Sequence, residues 1–357
     1  MREPNNTAKY SAAVIGTGRI GMMLEADKKR LKPATHFGMW SSHPEFKLEA
    51  ICDNDPEKFN FAKSHDPRIA CYTRPDELLS KHSPDVISIS TWRDSHYAIM
   101  KLALDHDVSA IVCEKPIAER EEHAREIVAE ANRKGIHLLI NHRRRFDPLL
   151  YPLKEEISSG IIGEIIQVHC TYVFGLLSTG THLVDTLRML LTDIAGEVTW
   201  VSAHTPFFQS YHPEDDPNLD GFIGFENGLK VSIQSLSMKD YDSFDFHIYG
   251  RNGKIIFKNI GRDIEIYKVN NSVEHEGFTE LENSPSIVRG GSPRDQFRFM
   301  ADNVVECLRG RGTSLSSGED SLKALEILTA MRKSAANAGA IIKLSQFDNI
   351  IKNSRST

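Results

Sequence analysis

The sequence predicts two domains of different class: an α/β domain on a doubly wound parallel sheet, then an α+β domain with an open, mostly antiparallel sheet. Three observations carry this. At 357 residues the chain exceeds what a single hydrophobic core usually supports. Between residues 10 and 142 short apolar runs alternate with helix-length stretches, and parallel neighbours can be joined only by crossovers. Beyond residue 160 the runs are strand-like, and several are joined by Asn-Gly pairs, a strong hairpin signal. The expected division is 8–146 and 147–345, with tails at 1–7 and 346–357.

Ala12–Ile15, Leu48–Cys52, Val86–Ile89, Ala110–Cys113 and His137–Ile140 read as buried parallel strands, each a brief apolar run bounded by turn residues or a charged helix. The clearest helix runs from Ala118 to Lys134, where Ala124, Ile127, Val128 and Ala131 share one face and Gly135 ends it. The boundary between domains falls near Arg145–Pro148. Then Ile165–Tyr172, Val198–Ala203, Gly221–Phe225, Leu229–Leu236, Phe244–Gly250, Gly253–Asn259 and Ile264–Val269 form a meander, with Asn227-Gly228 and Asn252-Gly253 as turns. A helix at Thr181–Leu191 stands near its start. Residues 270–293, ending in Gly290-Gly291-Ser292-Pro293, are polar and read as a surface loop. Helices Arg294–Arg309 and Asp320–Ala338 follow, with Ser316-Ser317-Gly318-Glu319 as a cap for the second.

A formal charge of −6 leaves no basic field for a nucleic-acid backbone or an anionic membrane, so neither is an expected partner. The local exception, Arg143-Arg144-Arg145, is too short for a nucleic-acid arm and reads as part of a site. No run approaches the roughly 18 apolar residues of a membrane helix, and the first residues lack an apolar signal core; a cytoplasmic location is expected. The five cysteines lack a C-x-x-C pair and read as buried thiols of a reducing compartment. Histidines are scattered without metal-ligand spacing, so no metal site is expected. No G-x-S-x-G nucleophile turn occurs.

Chemistry concentrates in a few segments. Gly16-Thr17-Gly18-Arg19-Ile20-Gly21 follows a strand and precedes a stretch that can be helical, the context a dinucleotide pyrophosphate requires. Gly16 permits the tight turn, Gly18 lets the pyrophosphate approach, and Gly21 allows close packing of helix on strand. Asp53 closes the next strand, where its carboxylate can accept ribose hydroxyls and repel a 2′-phosphate. The ribose contact is favoured over the alternative, that Asp53 caps Asn54–Phe59. NAD is expected over NADP, although Arg19 is a cation that could reach a phosphate. The interval from Gly21 to Asp53 is 32 residues, longer than the usual ~20, because of an insertion around Arg30–His43. Its segment Lys32-Pro33-Ala34-Thr35-His36 either covers the cofactor or elaborates the surface.

Glu114-Lys115-Pro116 ends an apolar run and presents a lysine at the carboxyl end of a strand, where open parallel sheets place ligands. An oxidised nicotinamide nearby would lower the pKa of Lys115 and make it a usable acid or base. Without the glycine turn, it would read as a surface lysine. His182 and Asp185 share a helix face, so the carboxylate either steadies the imidazole or caps the helix.

In this order, G-x-G-x-x-G, E-K-P, the R-R-F-D of Arg144–Asp147 and the G-x-H-x-x-D of Gly180–Asp185 resemble the family of glucose-fructose oxidoreductase, inositol dehydrogenase and MocA. The resemblance spans about residues 10 to 345 and includes Ser317-Gly318-Glu319-Asp320. It implies an N-terminal Rossmann domain and a C-terminal domain whose open sheet commonly forms the face of homodimers or homotetramers. It also implies hydride transfer between NAD(P) and a secondary alcohol carbon of a sugar, cyclitol or sugar nucleotide. By resemblance Lys115 and His182 are the catalytic residues, Arg145 is the arginine before the aromatic residue, and Thr91 and His96 stand near the cofactor with Glu114. Arg144, Arg145, Tyr172 and Asp185, with Phe174 and Tyr211, are candidate substrate contacts. Two departures stand out: Ser178 replaces an aspartate four residues before the histidine, and Trp92-Arg93 replace proline and asparagine. Ser178 leaves Lys115 and His182 to share the acid-base work. The alternatives are a cofactor-binding regulator or scaffold, or a hydrolase or lyase using NAD transiently.

Overall fold

A computed structural model of the chain describes residues 10–208, 216–290 and 295–344. Tyr211 and the tails 1–7 and 346–357 lie outside the described residues. Two compact units result: the described residues of Met1–Pro148 with Pro293–Lys323, and those of Leu149–Ser292 with Ala324–Thr357.

In the first unit β1 (Tyr10–Ile15), β2 (Phe46–Cys52), β3 (Ala70–Tyr72), β4 (Val86–Ile89), β5 (Ala110–Cys113) and β6 (His137–Ile140) form a parallel sheet in the order β3-β2-β1-β4-β5-β6. Every expected strand is present. The added β3 is three half-buried residues at an edge, too short to give an apolar run. The order reverses between β1 and β4, so the loops that leave these strands frame a crevice at the carboxyl edge. The crossovers are α1 (His36–Ser42), α2 (Phe59–His65), α3 (Pro75–His82), α4 (Arg93–Leu104) and α5 (Glu121–Lys134). On α5 the four expected apolar positions are buried and Gly135 ends the helix in a left-handed conformation, φ 69°.

The segment after the glycine turn departs from expectation. Only a 3₁₀ turn, Met23–Ala26, follows it, and the crossover helix α1 lies inside the insertion. Even so, the amides of His36 and Phe37 donate to the carbonyls of Ile20 and Gly21 at 3.2 and 2.8 Å. In an unbroken helix Gly21 would bond to residue 25, so Phe37 stands there after an excursion of twelve residues. Taking twelve from the 32 residues between Gly21 and Asp53 leaves 20, the ordinary spacing. The excursion is closed by Glu25, whose Oε2 accepts from Ala34 N at 3.0 Å and Thr35 Oγ1 at 2.6 Å. Thr35 Oγ1 in turn accepts from Gly38 N at 3.0 Å and caps α1. Residues 28–32 are exposed, but Ala34 to Trp40 are buried, so the insertion is part of the core as well as a surface elaboration.

The second unit opens with α6 (Leu150–Ser158), β7 (Ile165–Tyr172) and α7 (Thr181–Ala195), then β8 (Val198–His204), β9 (Asp220–Phe225), β10 (Lys230–Ser235), β11 (Phe244–Gly250), β12 (Gly253–Lys258) and β13 (Asp263–Asn271). Strands β14 (Thr279–Leu281) and β15 (Ile287–Arg289) both pair with β13, which corrects the expected loop at 270–293. Their residues are mostly exposed, so hydropathy gave no signal. Then come α8 (Gln296–Leu308), α9 (Gly318–Ala336) and β16 (Ile342–Lys343). The sheet runs β14-β13-β12-β11-β7-β10-β9-β8-β16; all its pairings are antiparallel except β10 with β7. Val201, Ile223, Val231, Val168, Ile248, Ile255 and Ile266 are cross-strand neighbours and all buried, whereas the opposite face shows His169, Phe222 and His247 half-buried or exposed.

The second domain is not the continuous 147–345 that was expected. Helix α8 belongs to the first unit, where Phe297, Met300, Ala301 and Val304 join the core of Phe37, Met39, Trp40 and Phe46. Ser316 pairs with the edge strand β6, its amide carbonyl and hydroxyl bonding Ile140 N at 2.9 Å and Ile140 O at 2.6 Å. Ser317 Oγ accepts from Asp320 N at 3.1 Å, the cap expected for the last long helix.

Candidate active site

Because the six strands of the first unit are parallel, their outgoing loops share one edge, and that edge collects the sequence-predicted groups. Backbone bonds extend one residue past the strands: Gly16 N to Cys52 O, Ser90 N to Ile15 O, Glu114 N to Ile89 O and Asn141 N to Cys113 O, each 2.8 Å. Glycine turn, Asp53, Thr91, Glu114-Lys115 and Asn141 are thereby fixed as one set.

In the glycine turn, Gly16 has φ +90° and a Cβ there would lie 2.6 Å from Thr91 N. A Cβ on Gly21 would overlap the carbonyl oxygen of Gly16, whereas a Cβ on Gly18 would meet nothing within 4 Å. Open space over Gly18, beside the amides that begin a helical turn, fits a dinucleotide pyrophosphate. Arg19 is exposed and Ile20 half-buried beside it. Thr17 joins the glycine turn to Asp53. It is buried, and its amide and hydroxyl both donate to Asp53 Oδ2, at 2.7 and 2.8 Å.

Asp53 stands where the sequence predicts, but its carboxylate already has partners. Oδ1 accepts from Asp55 N at 3.0 Å and from Lys58 Nζ at 2.9 Å. Burial opposes its charge, yet the hydrogen bonds from Lys58, Thr17 and Asp55 outweigh this and hold the carboxyl below its usual range. The cation that neutralises this carboxylate is Lys58. The cap of the turn that follows is Asp55, whose Oδ1 accepts from Glu57 N at 3.1 Å.

Glu114 is buried, with Oε1 bonded to His36 Nε2 at 3.0 Å and Asn141 Nδ2 at 2.5 Å. Lys115 follows it, half-buried. His96 is buried at α4 and ties two loops together: Nδ1 lies 2.9 Å from Pro116 O and Nε2 3.1 Å from Thr91 O. Desolvation lowers its pKa, and a neutral ring donates to one of these carbonyls at a time. His96 therefore joins the Thr91 turn to the Lys115 loop. Arg144 and Arg145 are buried after β6; Arg145 Nη1 donates to Asp320 Oδ2 at 3.0 Å and Leu315 O at 3.2 Å, which ties the 315–320 segment to this edge. Trp92, in place of the family's proline, is 83% exposed at the start of α4.

In the second unit a π-helical turn, Leu176–Gly180, leads into α7, with His182 half-buried and Asp185 buried in its first turns. Ser178 does not stand in for the missing carboxylate by itself. Its hydroxyl donates to Asp216 Oδ2 at 2.7 Å, and the amides of Leu177 and Ser178 donate to Asp216 at 2.7 and 3.1 Å. Asp216 is 1% exposed, and a Cβ on Gly175 would overlap it. A buried carboxylate thus lies on the turn before His182, supplied from 38 residues downstream. No sequence spacing signals it. Tyr172 is corrected as a substrate contact: it is wholly buried, its hydroxyl accepts from Leu219 N at 2.8 Å and donates to Leu219 O at 3.0 Å, and burial pushes its pKa up.

Residues 10–142 match the model of an oxidoreductase family with an NAD-binding Rossmann fold, and residues 174–344 match that family's C-terminal alpha/beta domain. Relatives include a D-apiose dehydrogenase of Paraburkholderia graminis, 23% identical over 88% of this chain and 87% of that protein. Another is a 1,5-anhydro-D-fructose reductase of Ensifer adhaerens, 24% identical over 75% and 82%. Among solved structures, the WlbA dehydrogenase from Bordetella pertussis in complex with NADH and UDP-GlcNAcA shares the fold at TM-score 0.73, with 21% identity over 95% of this chain and 99% of that one.

Proposed function

The chain belongs to the oxidoreductase family of glucose-fructose oxidoreductase, inositol dehydrogenase and MocA, and from that premise we propose that it transfers a hydride between NAD and a secondary alcohol or keto carbon of a sugar-like substrate. The observation that carries this reading is the shared strand edge, where the glycine turn, Asp53, Thr91 and Glu114-Lys115 are held by the ladder bonds of one sheet. The names of the sugar dehydrogenase and sugar reductase relatives support the substrate class.

The amides of the glycine turn would hold the pyrophosphate and Asp53 the adenosine ribose. When bound, the dinucleotide supplies the hydride acceptor. As the hydrogen on the alcohol carbon leaves with the electron pair of its C–H bond, the neutral Lys115 amine takes the hydroxyl proton, the C=O forms and the amine becomes an ammonium; in reduction it returns that proton to the new alkoxide. His182 is the second proton carrier, and Asp216 steadies the turn that precedes it. The half-exposed face of the large sheet is the proposed contact between copies of the chain, which a molar-mass measurement in solution checks.

The test is NAD reduction monitored across a broad panel of sugars and cyclitols, with Lys115→Ala alongside. The variant should lose at least ~10²-fold in rate while still binding NADH. Equal rates in variant and parent would overturn the assignment.

A further inference from the structure

The amides on either side of the glycine turn have partners within the first unit. Gly16 N donates to Cys52 O at 2.8 Å and Thr17 N to Asp53 Oδ2 at 2.7 Å; after the turn Met22 N and Met23 N both donate to Gly18 O, at 2.9 and 3.0 Å. The four amides between them, Gly18 to Gly21, have no acceptor among the described residues. They are the donors that the start of a helical turn leaves over, and the ones a pyrophosphate would take. One oxygen lies close enough to compete for them. Gly16 O stands four residues before Ile20 and five before Gly21, the spacings at which an amide turns back on a carbonyl in an α- or π-helical turn, and a Cβ on Gly21 would overlap it.

A side chain from the neighbouring strand occupies that oxygen. Ser90 follows β4, is 7% exposed, and its Oγ donates to Gly16 O at 2.7 Å, with Ile15 O farther away at 3.5 Å. The sheet does not need this hydroxyl, because the Ser90 amide already bonds Ile15 O at 2.8 Å. A buried hydroxyl costs free energy unless it is bonded, and Gly16 O receives no backbone N–H among the described residues, so the two groups satisfy each other. Glycine at position 21 makes the approach possible: a Cβ there would stand 2.8 Å from Ser90 Oγ. We infer that Ser90 is a positioning residue for the dinucleotide. By holding the Gly16 carbonyl toward the end of β4, it keeps the amides of Ile20 and Gly21 from closing on that oxygen and leaves all four amides of the turn to the pyrophosphate.

The inference rests on the dinucleotide reading of the glycine turn, and its test separates the two without turnover. Binding of ADP-ribose, which carries the pyrophosphate, and of adenosine, which carries no phosphate, is titrated calorimetrically on the full chain for the parent, Ser90→Ala and Ser90→Cys. Cysteine keeps the shape of serine but is a weak donor, so both variants lose the bond and only alanine leaves a gap. Affinity for ADP-ribose should fall about fivefold in both variants, while that for adenosine stays within about twofold of the parent. A merely structural role would move both ligands together. Thermal unfolding confirms that each variant is folded, and should Ser90→Ala not fold, Ser90→Cys carries the comparison. Unchanged affinity for ADP-ribose, an equal loss for adenosine, or a loss in Ser90→Ala that Ser90→Cys does not share overturns the inference and leaves the cofactor reading standing. A parent that does not bind ADP-ribose overturns the cofactor reading and the inference with it.

Discussion

At the scale of single residues, the structure gives the expected positions new partners. Asp53 shows this best: the strand end was legible as a candidate ribose site, but its four donors were not, because Thr17 approaches from 36 residues upstream while Asp55 and Lys58 come from the turn that follows. Asp53→Ser should therefore weaken binding of both dinucleotides by loosening the glycine turn. It should also shift the NAD:NADP affinity ratio toward NADP by about tenfold, since Lys58 and Arg19 then face a 2′-phosphate without a competing carboxylate. Calorimetric titration with both cofactors measures the ratio, and an unchanged ratio would place Asp53 away from the ribose. Glu114 makes a different prediction. Its folded pKa of about 2 lies below the ordinary 4.5, so its contribution is fully present above pH 4.5 and is lost as pH falls toward 2. That contribution is on the order of 3 kcal/mol. Between pH 6 and about 3 the urea midpoint of the parent should fall more steeply than that of Glu114→Gln; parallel curves would remove the carboxylate from the balance.

Among elements, legibility followed burial. Strands β4, β5 and β6, buried nearly throughout, were read at their full extent, and the hairpin strands were read within a residue or two because Asn-Gly pairs punctuate them. Elements whose stability comes from contacts outside their own sequence were not read. β14 and β15 have exposed or half-buried side chains and exist because the two ends of β13 offer them an edge. Helix α1 is seven residues long, below what an isolated helix sustains. It forms because Thr35 caps it, Glu25 closes the excursion, and Ile20 and Gly21 supply carbonyls from across the insertion.

For the whole molecule, the chain leaves the first unit and returns to it, and this has a measurable consequence. Phe297, Met300 and Val304 of α8 complete the core around Trp40, so a fragment ending at Pro148 exposes that apolar surface. The fragment should be aggregation-prone and bind a hydrophobic dye. Joining residues 293–323 to it through a flexible linker should restore a cooperative thermal transition. Equal behaviour of the two fragments would show that α8 adds nothing to this core. Loss of one large buried side chain in such a core costs ~3–5 kcal/mol, and loss of the whole helix removes several.

Sequence alone determined the parallel sheet, the glycine turn and the order of motifs, because each follows from local periodicity or from one residue type at one turn. It also located Lys115 and His182 as candidates. Tertiary structure decided what surrounds them: Asp216 on Ser178, Lys58 on Asp53, His36 on Glu114. In two of these pairs the partners lie 38 and 78 residues apart, and in all three the charge of one is offset by a donor that only folding brings within about 3 Å. A hydrogen bond is decided by distance and direction in space, which one sequence records only where the chain itself is the link.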